Sequence, residues 1–245
     1  MSGHSKWHTI KHKKGALDAK RGKLFTRIAK EIEIAARNGG DPDANARLRT
    51  AITAGRAVSM PNENIQRAIK RGTGDNGGVV LEEMLYEGYG PGGSAMLIAA
   101  VTDNRNRTVS EIRSMLSKNN GNMAEPGAVG WMFKRKSVVV IEKEQASEEK
   151  LMDLLIEAGG DDLRDDGEIW TLLSEPAAHD AVLAAVQAAG IETASAEIGY
   201  VADNPVKLDG QNARTFQRLY GLIDDQDDVQ NIWDNTEIDA ADIEG

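Results

Sequence analysis

Apolar residues along the chain follow two different periods, and the change from one to the other divides it. From Ala16 to Arg37, Leu24, Ile28, Ile32 and Ala35 recur at three- and four-residue spacing, which places them on one face of a helix. Asn38-Gly39-Gly40 ends that helix with residues that tolerate a left-handed cap. A second helix is predicted from Asp43 to Val58, with Leu48, Ile52 and Gly55 inward. A third starts near Pro61, a residue suited to a first turn, turns Ile65, Ala68 and Ile69 inward, and stops at Gly72. The outward faces of this helical module carry Arg47, Arg49, Arg56, Arg67, Lys70 and Arg71. Residues 1–14 have no apolar period and read as an arm, and Gly72 to Gly78 reads as a linker.

Beyond the linker the pattern is that of strands. Ser94 to Thr102 is a continuous apolar run, read as a buried strand. Asp103 to Arg107 reads as a turn, and Thr108 with Glu111 as a capping box opening a helix that buries Val109, Ile112 and Leu116. Ala128 to Phe133 reads as a strand. A complete βαββαβ unit follows: strand Val138–Glu142, helix Glu148–Ala158, strands Asp162–Arg164 and Glu168–Leu173, helix Pro176–Ala189 and strand Ser195–Val201. The last helix, Gln211–Leu222, and the last strand, Val229–Trp233, have no neighbour in sequence to pair with. They complete the earlier strand–helix–strand into a second βαββαβ with the first nested inside it.

The expected fold is therefore α+β: an all-helical domain, then two ferredoxin-like βαββαβ domains, one inserted within the other. The expected boundaries are an arm and helical domain over 1–75, a split domain over 79–134 and 206–236, an inserted domain over 137–203, and an acidic tail over 237–245. The chain from Asn235 on is expected to fray.

Composition changes this picture in two ways. The chain has no cysteine, which excludes disulfides and thiolate chemistry and fits a reducing compartment. No apolar run is long enough to cross a bilayer, so a cytoplasmic protein without a membrane partner is expected. The net charge of −10 hides a split: residues 1–75 hold 16 Lys and Arg against 7 Asp and Glu, and the rest hold 13 against 32. One end is built to meet a polyanion, and the other stays soluble and repels it.

The candidate chemistry sits at the basic end. Lys6, Lys11, Lys13, Lys14, Lys20, Arg21 and Lys23 fall within 18 positions, interleaved with His4, Trp7, His8 and His12. Lysine and arginine on phosphates release counterions and dominate sequence-independent affinity for nucleic acid. Trp7 can stack on an exposed base, and His12 adds a phosphate or base contact. His4, His8 and His12 do not suit a metal, because their neighbours are lysines. Arg105 and Arg107 are candidates for a second anion contact, with a salt bridge to the acidic half as the alternative.

The rest of the inventory is poor in catalytic groups. Two Gly-x-Gly-x-x-Gly spellings, at Gly72–Gly77 and Gly88–Gly93, lack the strand-then-helix setting of a dinucleotide site and read as turns. The second leaves a recognition role open for Tyr86 and Tyr89. Asp161, Asp162, Asp165 and Asp166 read as turn formers, and no helix-turn-helix is evident. Neither an enzyme activity, a cofactor, a metal nor a small-molecule substrate is expected.

Six strings carry a resemblance: Gly3-His-Ser-Lys-Trp7, Lys11-His-Lys-Lys14, Asp18-Ala-Lys-Arg-Gly-Lys23, Gly39-Gly-Asp-Pro42, Tyr86-Glu-Gly-Tyr-Gly-Pro91 and Thr102-Asp-Asn-Arg-Asn-Arg-Thr108. Together, over the whole chain, they resemble the YebC/PmpR family. The resemblance implies a three-domain fold and a DNA-binding transcriptional regulator. As the alternative it implies ribosomal RNA or the ribosome as partner, since the family includes a mitochondrial translational activator and factors that relieve stalling at proline-rich stretches. Ala46, Asn62 and Asn119-Asn120 depart from the family's usual residues. The loss of a lysine at Asn62 weakens the case for phosphate contact by the third helix.

Overall fold

Three short helices open the described chain, and their packing is set by what a helix surface leaves room for. The protein's structure, a computed structural model, describes residues 17–74, 80–239 and 242, with side chains from Gly22 on. Helix α1 spans Leu17–Ala36, α2 Ala46–Ala57 and α3 Asn62–Gly72. Phe25, Ile28, Ile32 and Ala35 of α1 meet Leu48 and Ile52 of α2 and Ile65 and Ala68 of α3. Leu24, expected inward, is exposed, and Phe25 packs in its place. Asn45 ties the corner. Its carboxamide oxygen caps α2 by accepting the Leu48 N–H (3.1 Å), and its amide donates to the carbonyls of Ala35 and Gly39. Helix α2 thus begins at Ala46, three residues later than the pattern of apolar residues places it.

Gly72 sets the distance between α1 and α3. A Cβ there would stand 2.2 Å from the Glu33 carbonyl oxygen and 2.7 Å from the Ala36 Cβ. Gly72→Ala therefore forces the two helices apart. The expected cost is about 1–3 kcal/mol, read as a lower urea midpoint.

Two four-stranded antiparallel sheets follow. The first has strand order β3-β1-β2-β9, built from β1 (Glu82–Tyr89), β2 (Ala95–Thr102), β3 (Asn122–Ala124) and β9 (Val229–Asp234). Helices α4 (Arg105–Lys118) and α7 (Gly210–Asp224) cover one face, burying Ile98, Ile112, Leu116, Phe216, Leu219 and Ile232. The second sheet has order β5-β6-β4-β7, from β4 (Phe133–Glu142), β5 (Asp162–Asp165), β6 (Ile169–Ser174) and β7 (Ser195–Ala202). Its helices α5 (Glu148–Glu157) and α6 (His179–Ala188) make a core with Val139, Ile141, Trp170 and Leu172. The chain leaves the first sheet at β3, builds the whole second unit, and returns through β8 (Val206–Leu208), α7 and β9.

The α+β class and the insertion are as the sequence implies, and the inserted unit is the expected βαββαβ. The split unit differs in one connection: its sheet begins with the hairpin β1–β2, so it runs ββαβ…αβ. Met84, Tyr86 and Gly88 alternate toward the core along β1, a period-two signal that the glycine-rich stretch after it obscures. The apolar run Ala128–Phe133 is a strand only at its last residue, Phe133, where β4 opens. Val129 (2.7 Å) and Gly130 (2.8 Å), with Gly127 (2.7 Å) just before the run, donate to the Glu87 carboxylate, and the N–H groups of Ala128 and Met132 turn back to the carbonyls of Glu125 and Val129. Those groups are therefore lost to any ladder.

Two further expectations are corrected. The described part of the tail, residues 235–239, does not fray. Asn235 is buried, accepts the Ala95 N–H (2.7 Å) and donates to the Asn204 carbonyl (3.0 Å), and β10 (Thr236–Ile238) pairs in parallel with β8. Helix α4 begins at Arg105, not Thr108. Asn104 is its cap, accepting the Arg107 N–H (3.1 Å), while the Thr108 hydroxyl is drawn elsewhere.

The glycine-rich turn after β1 is structural. Gly92 has φ 68°, and a Cβ there would meet Leu208 at 2.5 Å. One at Gly90 would meet the Ser94 Oγ at 2.6 Å and the Phe216 ring at 3.3 Å. The turn is seated on α7 and β8, and Tyr86 points into the core. No helix among the described residues is long and apolar enough to cross a membrane.

Candidate nucleic-acid interface

The basic end of the chain divides into cations spent on holding the fold and cations left in solvent. Lys23, Arg27 and Lys30 lie along one face of α1 and meet the acidic stretch 224–228 at the C-terminal end of α7. Lys23 pairs with Asp225 (2.9 Å) and Arg27 with Asp224 (2.8 Å), and Arg27 also donates to the Asp224 carbonyl (2.6 Å). Lys30 pairs with Asp228 (2.8 Å) and donates to the carbonyls of Val101 and Asp227, both at 3.0 Å. Placing these cations at the C-terminal end of α7 also suits its dipole.

Asp228 is the hub of this contact. It is buried, and besides Lys30 it accepts from Arg107 (2.8 Å), Thr108 (2.7 Å) and Thr102 (3.2 Å). Burial alone would raise its carboxyl pKa. The hydrogen bonds from Arg107, Lys30 and Thr108 outweigh burial and hold it well below the usual carboxylate range. The same bond to Asp228, with one to Asp103, raises the Arg107 guanidinium. Arg47 is likewise held by Glu31 and Glu83, and Arg71 by Glu33.

Of the site residues read from the sequence, Lys6, Trp7, Lys11, His12, Lys13 and Lys14 lie outside the described residues. Lys20 and Arg21 lie on α1, with side chains outside the description. Lys23 pairs with Asp225, and Arg107 pairs with Asp103 and Asp228, the kind of salt bridge weighed as the alternative for the arginine pair. Arg105, in the first turn of α4, is exposed and makes no ion pair with a described residue. The same is true of Arg37 at the end of α1, Arg56 on α2, and Arg67 and Lys70 on α3. A four-residue connection, Val58–Pro61, joins α2 to α3, with Ser59 at φ 60°. That is the length of connection used in helix-turn-helix pairs.

Elsewhere the polar clusters have structural roles. Ser137 Oγ lies 2.8 Å from His179 Nδ1, but Ser137 is wholly buried, out of reach of any substrate. Asp161 pairs with Lys136, Asp162 with Arg164 and Asp165 with Lys143, while the buried Asp166 accepts from Thr171 (2.6 Å). No group of three metal-ligating side chains occurs among the described residues. One aromatic stands out: Trp131, just before β4, is 68% exposed.

Comparison with known proteins agrees with this architecture. The family model described as the TACO1/YebC protein N-terminal domain matches residues 5–75, and that for the TACO1/YebC second and third domain matches residues 81–236. A "probable transcriptional regulatory protein" of Solibacter usitatus is 56% identical over 244 residues, covering 100% of this chain and 98% of that one. A protein of the same description from Acidobacterium capsulatum is 57% identical over 241 residues, covering 98% of each. The crystal structure of a conserved hypothetical protein from Aquifex aeolicus superposes with a TM-score of 0.84 at 39% identity, covering 94% of this chain and 96% of the other.

Proposed function

The chain belongs to the TACO1/YebC family, and from that premise we propose that it is a non-enzymatic, nucleic-acid-binding regulator of gene expression, acting as a DNA-binding transcriptional regulator. The observation that carries this reading is the distribution of free cations. Arg37, Arg49, Arg56, Arg67 and Lys70 make no ion pair with a described residue, whereas Lys23, Arg27, Lys30, Arg47 and Arg71 of the same unit are neutralised, and the basic arm leads directly into that unit. Lys6, Trp7, Lys11, His12, Lys13, Lys14, Lys20 and Arg21 form the grip in this reading. Arg105 is an outlying phosphate contact, while Lys23 and Arg107 hold the platform from which the grip works. The protein works in the cytoplasm without cofactor or small-molecule substrate. The names of its relatives support transcription, and the short connection between α2 and α3 suits duplex DNA.

A second reading, a ribosomal-RNA-binding translation factor, is favoured by the exposed Trp131, because aromatic faces serve unpaired bases better than duplexes. Crosslinking in cells followed by sequencing of the bound nucleic acid separates the two. Recovery of promoter DNA is expected, recovery of ribosomal RNA selects the second reading, and recovery of neither overturns both.

A further inference from the structure

We infer that Trp131 is a stacking platform for an unpaired base of single-stranded RNA, a contact separate from the basic N-terminal end. The inference rests on the second, RNA-binding reading above. The segment 125–132 between β3 and β4 has little regular structure, a single 3-10 turn at Gly130–Met132, yet it is tightly held. Glu87 accepts three of its backbone N–H groups, and the Tyr89 hydroxyl donates to the Ala128 carbonyl (3.3 Å). Burial would raise the Glu87 carboxyl pKa, but those three donors hold it below the usual range, so it is ionised at neutral pH. The Trp131 Nε1–H donates to the same Ala128 carbonyl (3.0 Å).

The indole's one polar group is therefore satisfied within the loop, and the ring surface is left to solvent. Trp170 and Trp233, at 7% and 8% exposure, are ordinary core residues, whereas Trp131 at 68% contributes little burial to the fold. A large ring held rigidly in water loses little conformational freedom when a flat partner lands on it.

The surrounding charge selects that partner. Residues 76–245 are strongly acidic, but Lys134-Arg135-Lys136 follow Trp131 after only Met132 and Phe133. Three residues span at most about 10 Å of chain, so Lys134 lies within one or two nucleotides of the ring. Lys136 is taken by Asp161 and Glu175. Lys134 pairs with Asp203, with both side chains largely in solvent, and Arg135 is exposed with no ion pair to a described residue. An aromatic face beside such cations fits a base and its phosphate. An apolar protein surface would meet Glu125, Lys134 and Arg135, all exposed and charged.

The test compares Trp131→Ala and Trp131→Phe in the full chain. The probes are an oligouridine of about twelve nucleotides and a DNA duplex of similar length, read by fluorescence anisotropy at about 0.15 M salt. The alanine variant is expected to bind oligouridine about 5- to 100-fold more weakly, with phenylalanine recovering most of the loss and duplex affinity and thermal midpoint unchanged. Glu87→Gln, which keeps the indole but loosens its loop, is expected to weaken oligouridine binding by less than the alanine variant does. Equal oligouridine affinity in wild type and the alanine variant overturns the inference while the general reading stands. An equal loss on both probes also overturns it, in favour of a non-specific surface effect. If the wild type binds neither probe, the nucleic-acid reading falls and this inference with it.

Discussion

Reversing Lys11, Lys13 and Lys14 to glutamate is expected to lower affinity for nucleic acid by on the order of a hundredfold or more at about 0.15 M salt. Three cations become three anions in a stretch where Asp18 is the one acidic residue before Glu31. If each lysine neutralises one phosphate, the slope of log affinity against log salt falls by nearly 3 on duplex DNA and by about 2 on a single strand. The slope thus reports the polymer as well as the grip. Lys23 is left out of this variant deliberately. It faces Asp225 at 2.9 Å, and a glutamate there would sit beside Asp224 and Asp225 and disturb the docking of α1. Titrations at several salt concentrations check the result, and an unchanged slope would remove the arm from the interface.

The second large effect concerns Asp228. Asp228→Ala is expected to cost about 3 kcal/mol of stability, because it strands cations that the fold has partly desolvated. Lys30 would keep its two carbonyl acceptors, while Arg107 would keep only Asp103. The loss should depend on pH, with a definite sign. The folded carboxyl titrates below its unfolded value, so the folded state binds fewer protons. The stabilisation is complete above the unfolded pKa near 4 and is lost as pH falls below it toward the depressed folded value. Urea midpoints of wild type and Asp228→Asn should therefore be well separated at neutral pH and converge in acid. A gap that stays constant would mean that the carboxylate's charge does not anchor the network.

The features legible in the sequence are those written over short distances. The three opening helices, the inserted βαββαβ unit and the closing helix and strand follow from apolar period and turn residues, and their ends fall within a few residues of the structure. Strand β1 is missed because half of it is polar and its partner turn is a run of glycines. The Ala128–Phe133 run misleads because a side chain, Glu87, supplies the acceptors that a neighbouring strand would. Capping at Asn104 is masked by Thr108, whose hydroxyl serves Asp228 120 residues away. The same limit governs the site. The density of lysine and arginine is visible, but which of them are neutralised is decided by partners such as Lys30 and Asp228, 198 residues apart. Trp131 looks like a core residue in its apolar run, and only the folded loop shows it turned outward.

The insertion also fixes an order of events during synthesis. Ala95, at the start of the apolar strand β2, bonds to Asn235, 140 residues later. At translation rates of about 5–20 residues per second, β2 keeps one edge bare for on the order of ten seconds after it emerges. The inserted unit contains all of its own strand partners and can close within that interval. The acidic turn that receives α1 arrives only with the final strands. The α1 cations Lys23, Arg27 and Lys30 therefore lack their carboxylate partners until the rest has been made, and the bare edge of β2 is the place where a nascent chain is most open to mispairing or to a chaperone.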